Sequence, residues 1–360
     1  MNLRDTDLVN RKIVYAVAQV AALSILIASL ASAQSPSPFA VETNIKGVYA
    51  YTEPPAGFNP MTASAAELEL YGYPPRPAAN APAKALATWE MIANPALKRI
   101  VPELSATSIY HRPVENLVIK NSKKAASSNW SGYALVHKRP QFTSVTGAWL
   151  VPIVQQAFGT CGGTDYSSDW AGIDGFANNS LFQSGSESDA TCVSDTTTTE
   201  NYPWIEWLPG ATFEITASDS SALPFAPGDY LIVVVTATNW SGGESTSGTL
   251  SYTDVTQNWQ VDGTITAAAL DGSPLVGQST EWIIERPEVG GSTADLANYV
   301  AVPWFEASAT DVKNKTYFPG SPAGATAYSI TMLDDSNSPI SFADLFNPDT
   351  LLFLDEGSAL

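Results

Sequence analysis

The chain has 360 residues, of which 44% are hydrophobic and 15% charged, so it holds enough apolar material for a sizeable core. Lys and Arg number 17 against 36 Asp and Glu, a formal net charge of −19. This balance argues against a nucleic-acid-binding protein, which needs a basic surface. Two His and two Cys are too few for a zinc-finger array, a multi-histidine metal site or an iron–sulfur centre. We therefore expect no metal and no cofactor.

The first 33 residues have the three-part layout of a secretory signal peptide. Arg11 and Lys12 precede an uncharged run over 13–30, and the small residues of 31–33 follow. We predict cleavage after Ala33, a secreted protein, and no stable membrane association afterwards. The alternative is an uncleaved membrane anchor, because the run is about long enough to span a bilayer.

The charge changes abruptly near residue 125. Residues 34–124 contain nine Lys and Arg and seven Asp and Glu, a net of +2, whereas residues 125–360 contain five and 27, a net of −22. We predict that 34–125 is a pro-segment, basic enough to bind a very acidic partner and removed near Lys123–Ala125. It includes a helix-compatible stretch at Ala81–Ile92. The alternatives are a flexible linker and a small accessory domain.

The acidity of residues 125–360 suggests a domain that works in acid. At low pH the carboxylates become neutral, and few positive charges remain to repel one another. The alternative is an ordinary acidic secreted protein that its net charge keeps in solution.

Residues 126–360 have the pattern of an antiparallel β-sandwich or jelly roll. Short β-branched or aromatic runs alternate with Gly, Asp and Pro turns, and we find no repeat of fixed period. The predicted strands are Ser144–Val151, Tyr230–Ala237, Thr249–Asp254, Trp259–Ile265, Ser279–Glu285 and Ala327–Leu333.

The scarcity of histidine narrows the possible chemistry. After residue 125 the only histidine is His137, in an exposed Lys-Arg-Pro turn, so a Ser-His-Asp triad and a Cys-His pair both lack their base. Export would permit Cys161 and Cys192 to form a disulfide instead. Carboxylate and amide chemistry remains.

Three apolar strands carry polar groups that could form a site. Period two places Trp204 and Glu206 on one face of their strand, and Glu281 and Glu285 on one face of another, while Gln183 follows two large apolar residues. A glutamate among apolar neighbours is costly to bury unless it is paired or protonated. The alternative for each strand is a polar face turned to solvent.

The combination of motifs resembles the glutamic peptidases, the eqolisin family of secreted acid endopeptidases. The likeness runs from about residue 127 to about 335. The matching words, all in family order, are Ser128-Asn129-Trp130-Ser131-Gly132, Trp170-Ala171-Gly172-Ile173-Asp174-Gly175, Leu181-Phe182-Gln183-Ser184-Gly185, Trp204-Ile205-Glu206-Trp207, Pro227-Gly228-Asp229 and Glu281-Trp282-Ile283-Ile284-Glu285.

The resemblance implies a concanavalin A-like, jelly-roll type sandwich with a catalytic Gln183 and Glu285. Glu285 would act as general base on the attacking water and then as acid toward the leaving amine. Gln183 would orient that water and donate to the tetrahedral oxyanion. The residues that would line or support the cleft are Trp130, Trp170, Asp174, Trp204, Glu206 and Glu288.

Two positions depart from the fungal members of this family. Arg286 replaces an acid after Glu285, and a nearby cation would favour the ionised carboxylate and shift the pH profile. Tyr202 replaces an acid before the Trp204 motif, which puts substrate preference there in doubt.

We expect a secreted, monomeric acid endopeptidase, insensitive to pepstatin and made as a zymogen, whose partners are protein or peptide substrates and its own pro-segment. One alternative is a glycoside hydrolase using Glu206 and Glu285, since two carboxylates and ten Trp residues would also suit sugars. The other is a non-catalytic, lectin-like binding module.

Overall fold

A computed structural model describes residues 37–121, 123–139, 141–157 and 161–356 of the chain. The predicted signal peptide, residues 1–33, lies outside these residues. In the part of the chain that is described, no helix is long and apolar enough to cross a membrane.

The N-terminal segment, residues 37–121, contains short strands and two helices. Its elements are β1 (Ala40–Glu42), β2 (Val48–Tyr51), α1 (Ala65–Leu70), α2 (Ala83–Ile92), β3 (Lys98–Arg99), β4 (Glu103–Ala106), β5 (Ile109–Tyr110) and β6 (Val118–Asn121). Helix α1 begins with a capping box in which Ser64 and Glu67 satisfy each other's backbone N–H groups. Helix α2 occupies the predicted helix-compatible stretch.

The rest of the described chain is almost entirely β-strand. Its strands are β7 (Lys124–Ser127), β8 (Trp130–Val136), β9 (Phe142–Leu150), β10 (Gly163–Ile173), β11 (Phe182–Val193), β12 (Thr196–Trp207), β13 (Thr212–Thr216), β14 (Tyr230–Thr238), β15 (Ser247–Asp254), β16 (Trp259–Thr266), β17 (Ser279–Glu285), β18 (Glu288–Val289), β19 (Ser292–Thr293), β20 (Ala301–Asp311), β21 (Thr316–Tyr317), β22 (Thr326–Leu333), β23 (Pro339–Asn347) and β24 (Thr350–Asp355). A single 3₁₀ turn, Ala267–Leu270, follows β16. Each of the six predicted strands overlaps an observed one.

Most of the strands form two sheets in which the neighbours named below pair antiparallel, and β5, β18 and β19 form a separate three-stranded sheet. The first has the order β4-β13-β12-β11-β10-β17-β8-β22. The second has the order β24-β20-β9-β14-β15-β16-β2-β1. Strand β23 pairs with both β22 and β24 and so connects the two sheets. The predicted antiparallel sandwich is confirmed.

Residue alternation along β17 separates the main core from the opposite face of the first sheet. Trp282 and Ile284 belong to the main hydrophobic core, whereas Ile283 packs in a second cluster with Trp170 and Trp204. This is the division that period two predicts. We call the face that carries the second cluster the outer face of the first sheet.

The polar groups predicted on these strands are not turned to solvent. Gln183, Glu206, Glu281 and Glu285 have no exposed surface. The alternative of a solvated polar face is therefore wrong for these residues. The N-terminal segment contacts two of them: His111 lies beside Glu206, and the Arg112 N–H donates to Glu285. Ile109 of this segment is a buried member of the second cluster.

The N-terminal segment is folded onto the sandwich by strand pairing, so the flexible-linker alternative is wrong. Strand β4 pairs with β13, β2 and β3 pair with β16, and β5 pairs with β18. Ion pairs add to this contact: the Arg99 guanidinium lies 3.0 Å from the buried Asp262 carboxylate, and the Lys84 ammonium lies 3.1 Å from Asp349. These two pairs join basic side chains of the N-terminal segment to acidic side chains of the sandwich.

The region predicted as the processing site lies beside the sheet edge. All four residues of β6 are exposed, whereas Ala125, Ala126 and Ser127 of β7 are buried. Strand β7 pairs in parallel with β22. A cut inside β7 would need the strand to leave its sheet, so the exposed residues before it are the more accessible target.

A buried carboxyl in the core makes stability depend on pH. Asp169 has no exposed surface, and burial raises its pKa to about 8, opposed by the Trp304 Nε1–H bond at 3.3 Å. Because the folded pKa lies above the unfolded one, the contribution of Asp169 to stability is complete below about pH 4 and is lost as pH rises toward 8.

Asp169→Asn should therefore stabilise the chain at neutral pH and leave it nearly unchanged in acid. We expect a gain of up to about 4 kcal/mol in the free energy of unfolding at pH 7. Urea unfolding at about pH 4 and pH 7 measures it. A variant that is no more stable than the wild type at pH 7 would show that Asp169 is not buried as the neutral acid.

Candidate active site

The Glu285 carboxylate is surrounded by N–H donors. It lies at the end of β17, on the outer face of the first sheet, with no exposed surface. Its Oε2 accepts a hydrogen bond from Trp170 Nε1 at 2.8 Å, and its Oε1 accepts one from the Arg112 backbone N–H at 3.0 Å. Asn129 Nδ2 donates to Oε1 at 3.4 Å. Such an arrangement stabilises an ionised carboxylate.

Burial and hydrogen bonding act on Glu285 in opposite directions. Burial is the largest effect and raises the pKa of Glu285 well above its usual value, and the nearby Glu206 charge raises it further. The Arg112 backbone N–H and the Trp170 indole N–H lower it. Burial thus favours the protonated carboxyl, and the N–H donors favour the ionised one.

The amide of Gln183 is held in one orientation by a neighbouring carboxylate. Gln183 and Glu206 are paired across β11 and β12, and Gln183 Nε2 donates to Glu206 Oε2 at 2.7 Å. Thr212 Oγ1 donates to the other oxygen of Glu206, also at 2.7 Å. Gln183 Oε1 is buried and has no hydrogen-bond partner among the described residues. One N–H and the carbonyl oxygen of the amide are thus available to a reacting group.

His111, from the N-terminal segment, lies beside Glu187 and Glu206. Its ring is fully buried and stacks on Trp204, with ring centroids 3.8 Å apart and an interplanar angle of 8°. Nε2 lies 3.2 Å from Glu187 Oε2, and Nδ1 lies 3.6 Å from Glu206 Oε2. Sequence reasoning missed His111 because it considered only the histidine that follows residue 125.

Glu187 is a further buried carboxyl that sequence reasoning missed. Burial raises its pKa well above the usual value, and the charge of the adjacent Asp189 raises it further. The alternation of side chains along a strand could have identified Glu187, since it lies four residues after Gln183 on the same face of β11. Serines at the neighbouring positions make both faces of this strand polar, so the pattern of apolar and polar residues did not single out Glu187.

The predicted tryptophans lie together on the outer face. Trp130 packs edge-on against Trp170, with ring centroids 4.8 Å apart, and both are fully buried with Trp204. Trp170 contacts Glu285 directly, whereas Trp204 forms the flat surface beneath His111.

Asp174 supports a loop and does not touch Gln183 or Glu285. Its carboxylate accepts the backbone N–H groups of Val276, Gly277 and Gln278 at 2.7 to 2.9 Å, and Asn178 Nδ2 at 2.9 Å. These bonds hold the chain that leads into β17, the strand that ends in Glu285. The resemblance implied that Asp174 lines or supports the cleft, and its contacts are with the loop that precedes β17.

Glu288 binds the N-terminal segment. Its carboxylate oxygens accept hydrogen bonds from Arg112 Nε at 3.0 Å and Arg112 Nη2 at 2.6 Å, a two-point contact that raises the pKa of the guanidinium.

Arg286 does not act on Glu285 in the way its position in the sequence suggested. Its guanidinium donates to Ser128 O at 2.7 Å and to Asp335 at 3.1 Å. Neighbouring residues of an extended chain point to opposite sides, which takes the cation away from the Glu285 carboxylate.

Cys161 and Cys192 form the predicted disulfide, with their Cα atoms 5.0 Å apart. Gly163 pairs with Cys192, so the bond lies at the end of the β10–β11 hairpin that carries Trp170 and Gln183. Among the described residues, no group of three or more His, Cys, Asp and Glu side chains is arranged to hold a metal ion.

Comparison with known proteins shows the family to which the chain belongs. The sequence model described as the Peptidase A4 family matches residues 128–341, more than half of the chain. The chain belongs to the Peptidase A4 family. It is 30% identical over 200 residues to Aspergillopepsin-2 of Aspergillus niger, an alignment that covers 51% of this chain and 64% of that relative. The chain thus matches slightly less than two thirds of the relative's length.

Solved structures of the same family are similar to parts of the chain. SCP-B, described as a member of the eqolisin family in complex with the tripeptide Ala-Ile-His, is 19% identical with a TM-score of 0.45, covering 63% of this chain and 98% of that one. Aspergilloglutamic peptidase from Aspergillus niger is 24% identical with a TM-score of 0.43, covering 53% and 99%.

Membership in the Peptidase A4 family confirms the resemblance found from the motifs. The matched residues, 128–341, contain Gln183, Glu206 and Glu285. They do not contain His111 or Arg112, which come from the preceding segment.

Trp170→Phe tests whether the indole N–H stabilises the ionised Glu285. We expect the pKa of Glu285 to rise further, because the carboxylate loses a donor while its burial is kept. Carbon NMR of glutamate side chains labelled at Cδ would follow this titration, with Trp204→Phe as the control that removes an indole N–H from another partner, Ser168. An unchanged Glu285 titration in Trp170→Phe would contradict the assignment of this hydrogen bond.

Proposed function

We propose that this member of the Peptidase A4 family is a secreted acid endopeptidase that hydrolyses protein substrates through Gln183 and Glu285. The observation that carries the proposal is the Glu285 carboxylate, buried among N–H donors on the sheet face where Glu206 orients the Gln183 amide. The buried groups beside them are the carboxyls Glu206 and Glu187 and, from the N-terminal segment, His111.

In this proposal Glu285 removes a proton from water while the water oxygen attacks the peptide carbonyl carbon. The carbonyl π bond breaks and its electron pair becomes the oxyanion of a tetrahedral intermediate. Protonated Glu285 then gives its proton to the amide nitrogen, the C–N bond breaks, and an acid and an amine leave. The carboxylate is regenerated, so protons and charge balance over the cycle.

Gln183 would stabilise the oxyanion with the N–H that Glu206 does not use. An amide keeps its donors at any pH, whereas a histidine would be fully protonated in acid and could not act as a base. A carboxylate can still be ionised there when solvent reaches it, which for Glu285 would require that the N-terminal segment no longer buries it. This pair of residue types therefore suits hydrolysis under acidic conditions.

The segment 34–125 would be the pro-segment of this enzyme, made behind a signal peptide that ends at Ala33, and the mature protein would be a monomer. The net charges of +2 and −22 support a pro-segment that is held by electrostatic attraction and weakened when acid neutralises carboxylates. Ion pairs from Arg99 to Asp262 and from Arg112 to Glu288 support the same assignment.

Cleavage of acid-denatured albumin at about pH 4, with pepstatin and a chelator present, tests the catalytic pair. We expect activity from the wild type, a loss of about 100- to 1,000-fold in kcat for Gln183→Ala, and at least as large a loss for Glu285→Ala. Glu281→Gln is the matched control, because Glu281 is a buried glutamate on the same strand. Full activity in Glu285→Ala would overturn the mechanism, and inhibition by pepstatin would point to another class.

Self-processing is a separate prediction. On transfer of the purified proform to acid, wild type should lose its N-terminal segment, whereas Glu285→Ala should stay intact because it lacks the base. Gel electrophoresis against time follows the conversion. If both proteins are processed at the same rate, an external peptidase performs the cut.

A further inference from the structure

Helix α2 lies over the face of the second sheet that points away from the main core, which we call the outer face of the second sheet. Near the end of the helix, Ile92 packs against Ile232 and Val234 of this face. Near its start, the Lys84 ammonium lies 3.4 Å from Glu306 Oε1. Between these two contacts lies a cavity of about 420 Å³. This volume is within the usual range of small-molecule sites, about 300 to 1,000 Å³, and is far larger than a packing gap.

The floor of the cavity is built from two rows of hydroxyl groups on the outer face of the second sheet. Strand pairing places Thr310, Ser144 and Thr236 side by side in one row, and Ser308 beside Thr146 in the next. Ser144 Oγ and Thr236 Oγ1 hydrogen-bond to each other at 3.0 Å. Within the described part of the chain, the other three hydroxyls form no hydrogen bond. Since a hydroxyl can both donate and accept, these groups are available to a ligand.

The roof of the cavity is largely apolar. Helix α2 and the proline-rich chain before it form the roof, and its apolar lining residues include Pro74, Pro77, Ala81, Ala85 and Trp89. The Trp89 indole is held in place, because its Nε1–H donates to Pro74 O at 2.9 Å. A ligand in this space therefore meets hydroxyl groups on one side and C–H groups on the other.

Glu306 lines the cavity from an irregular position in β20. The pairing of β20 with β9 shifts its register between Phe305 and Ser308, and Glu306 has a φ of 57°. Positive φ is uncommon for a residue other than glycine, and a bulge of this kind re-aims a side chain. Burial raises the pKa of Glu306, whereas the Thr88 hydroxyl and the Lys84 ammonium lower it. The bulge thus adds a carboxyl group to the wall of the cavity.

The charged residues that line the cavity are Arg76 and Glu306, which carry opposite charges. Both are already engaged. The Arg76 guanidinium donates to Ala63 O at 3.2 Å and lies 4.9 Å from the centre of the Trp89 ring, and Glu306 pairs with Lys84. The lining therefore has no net charge, which favours a neutral ligand, because burying an ion without a counter-charge is costly.

We propose that this cavity is a carbohydrate-binding site, which holds a neutral mono- or disaccharide between α2 and the second sheet. A pyranose ring carries hydroxyl groups at its edge and C–H groups on its faces, which match the hydroxyl floor and the apolar roof. A peptide would instead need partners for its main-chain N–H and C=O groups, which a sheet edge offers and a sheet face does not. The site goes beyond the proposed peptidase function, since it shares no lining residue with Gln183 and Glu285.

Calorimetric titration of the chain with maltose and with cellobiose tests the site. A Glu285→Ala background keeps the N-terminal segment attached if the chain processes itself, and mass spectrometry checks that the segment is present. We expect a dissociation constant of about 1 mM or tighter for at least one of the sugars. The unfolding temperature should also rise with the concentration of that sugar, because only the folded chain contains the cavity.

Two substitutions in this background locate the bound sugar. Ala85→Leu fills the cavity from α2 and should weaken binding at least about tenfold while the chain stays as stable. Ala87→Leu is the matched control, because Ala87 is exposed on the same helix and does not line the cavity. Thr146→Val removes one floor hydroxyl at nearly constant volume and should weaken binding about fivefold.

Three results would overturn the carbohydrate site. The first is the absence of binding of either sugar at concentrations up to about 10 mM. The second is binding that Ala85→Leu and Thr146→Val leave unchanged, since the sugar would then lie elsewhere on the chain. The third is tighter binding of the dipeptide Ala-Leu than of either sugar, with the same response to both substitutions, because the cavity would then take a peptide.

Discussion

Burying a carboxylate away from water is costly unless hydrogen-bond donors or cations surround it, and the outer face of the first sheet does this at several positions. Glu285 is enclosed by three N–H donors, and Glu206 by an amide and a hydroxyl. This constraint explains why the residues beside the pair are Trp, Asn, Gln and Thr. Each offers a donor while filling space that an apolar side chain would otherwise fill.

The N-terminal segment completes this arrangement in the full chain. Arg112, His111 and Arg99 bring donors and positive charge to Glu285, Glu187 and Asp262, which the sandwich alone leaves without those partners. The same contacts make the closed state, in which this segment lies on the sheet, sensitive to pH in two opposing ways. Ion pairs weaken as carboxylates take up protons, whereas burial raises the pKa of Glu285 and Glu187 and so favours the closed state in acid.

Two stretches of the chain supply the groups that meet on the outer face of the first sheet. Residues 128–341, which match the Peptidase A4 family, supply the sheet, the buried acids and the amide. The preceding segment supplies the short strand β5, the His111 ring and the Arg112 guanidinium. The buried acids and the groups that cover them are thus carried by separate stretches that meet on one sheet face. Removing the second would leave the first with its hydrogen-bond network around Gln183 intact.

Much of the architecture followed from local patterns, because period two and turn residues act over a few positions. The strand Ser279–Glu285 and the opposite facing of Trp282 and Glu285 needed no knowledge of the rest of the chain. Contacts between distant residues could not be obtained in this way. The Arg112 N–H reaches a carboxylate 173 positions away, and Arg286, beside Glu285, turns toward Asp335. Composition and alternation specify which side chains can be buried, but only the folded sheet, by bringing remote strands side by side, selects the donor that each buried acid receives.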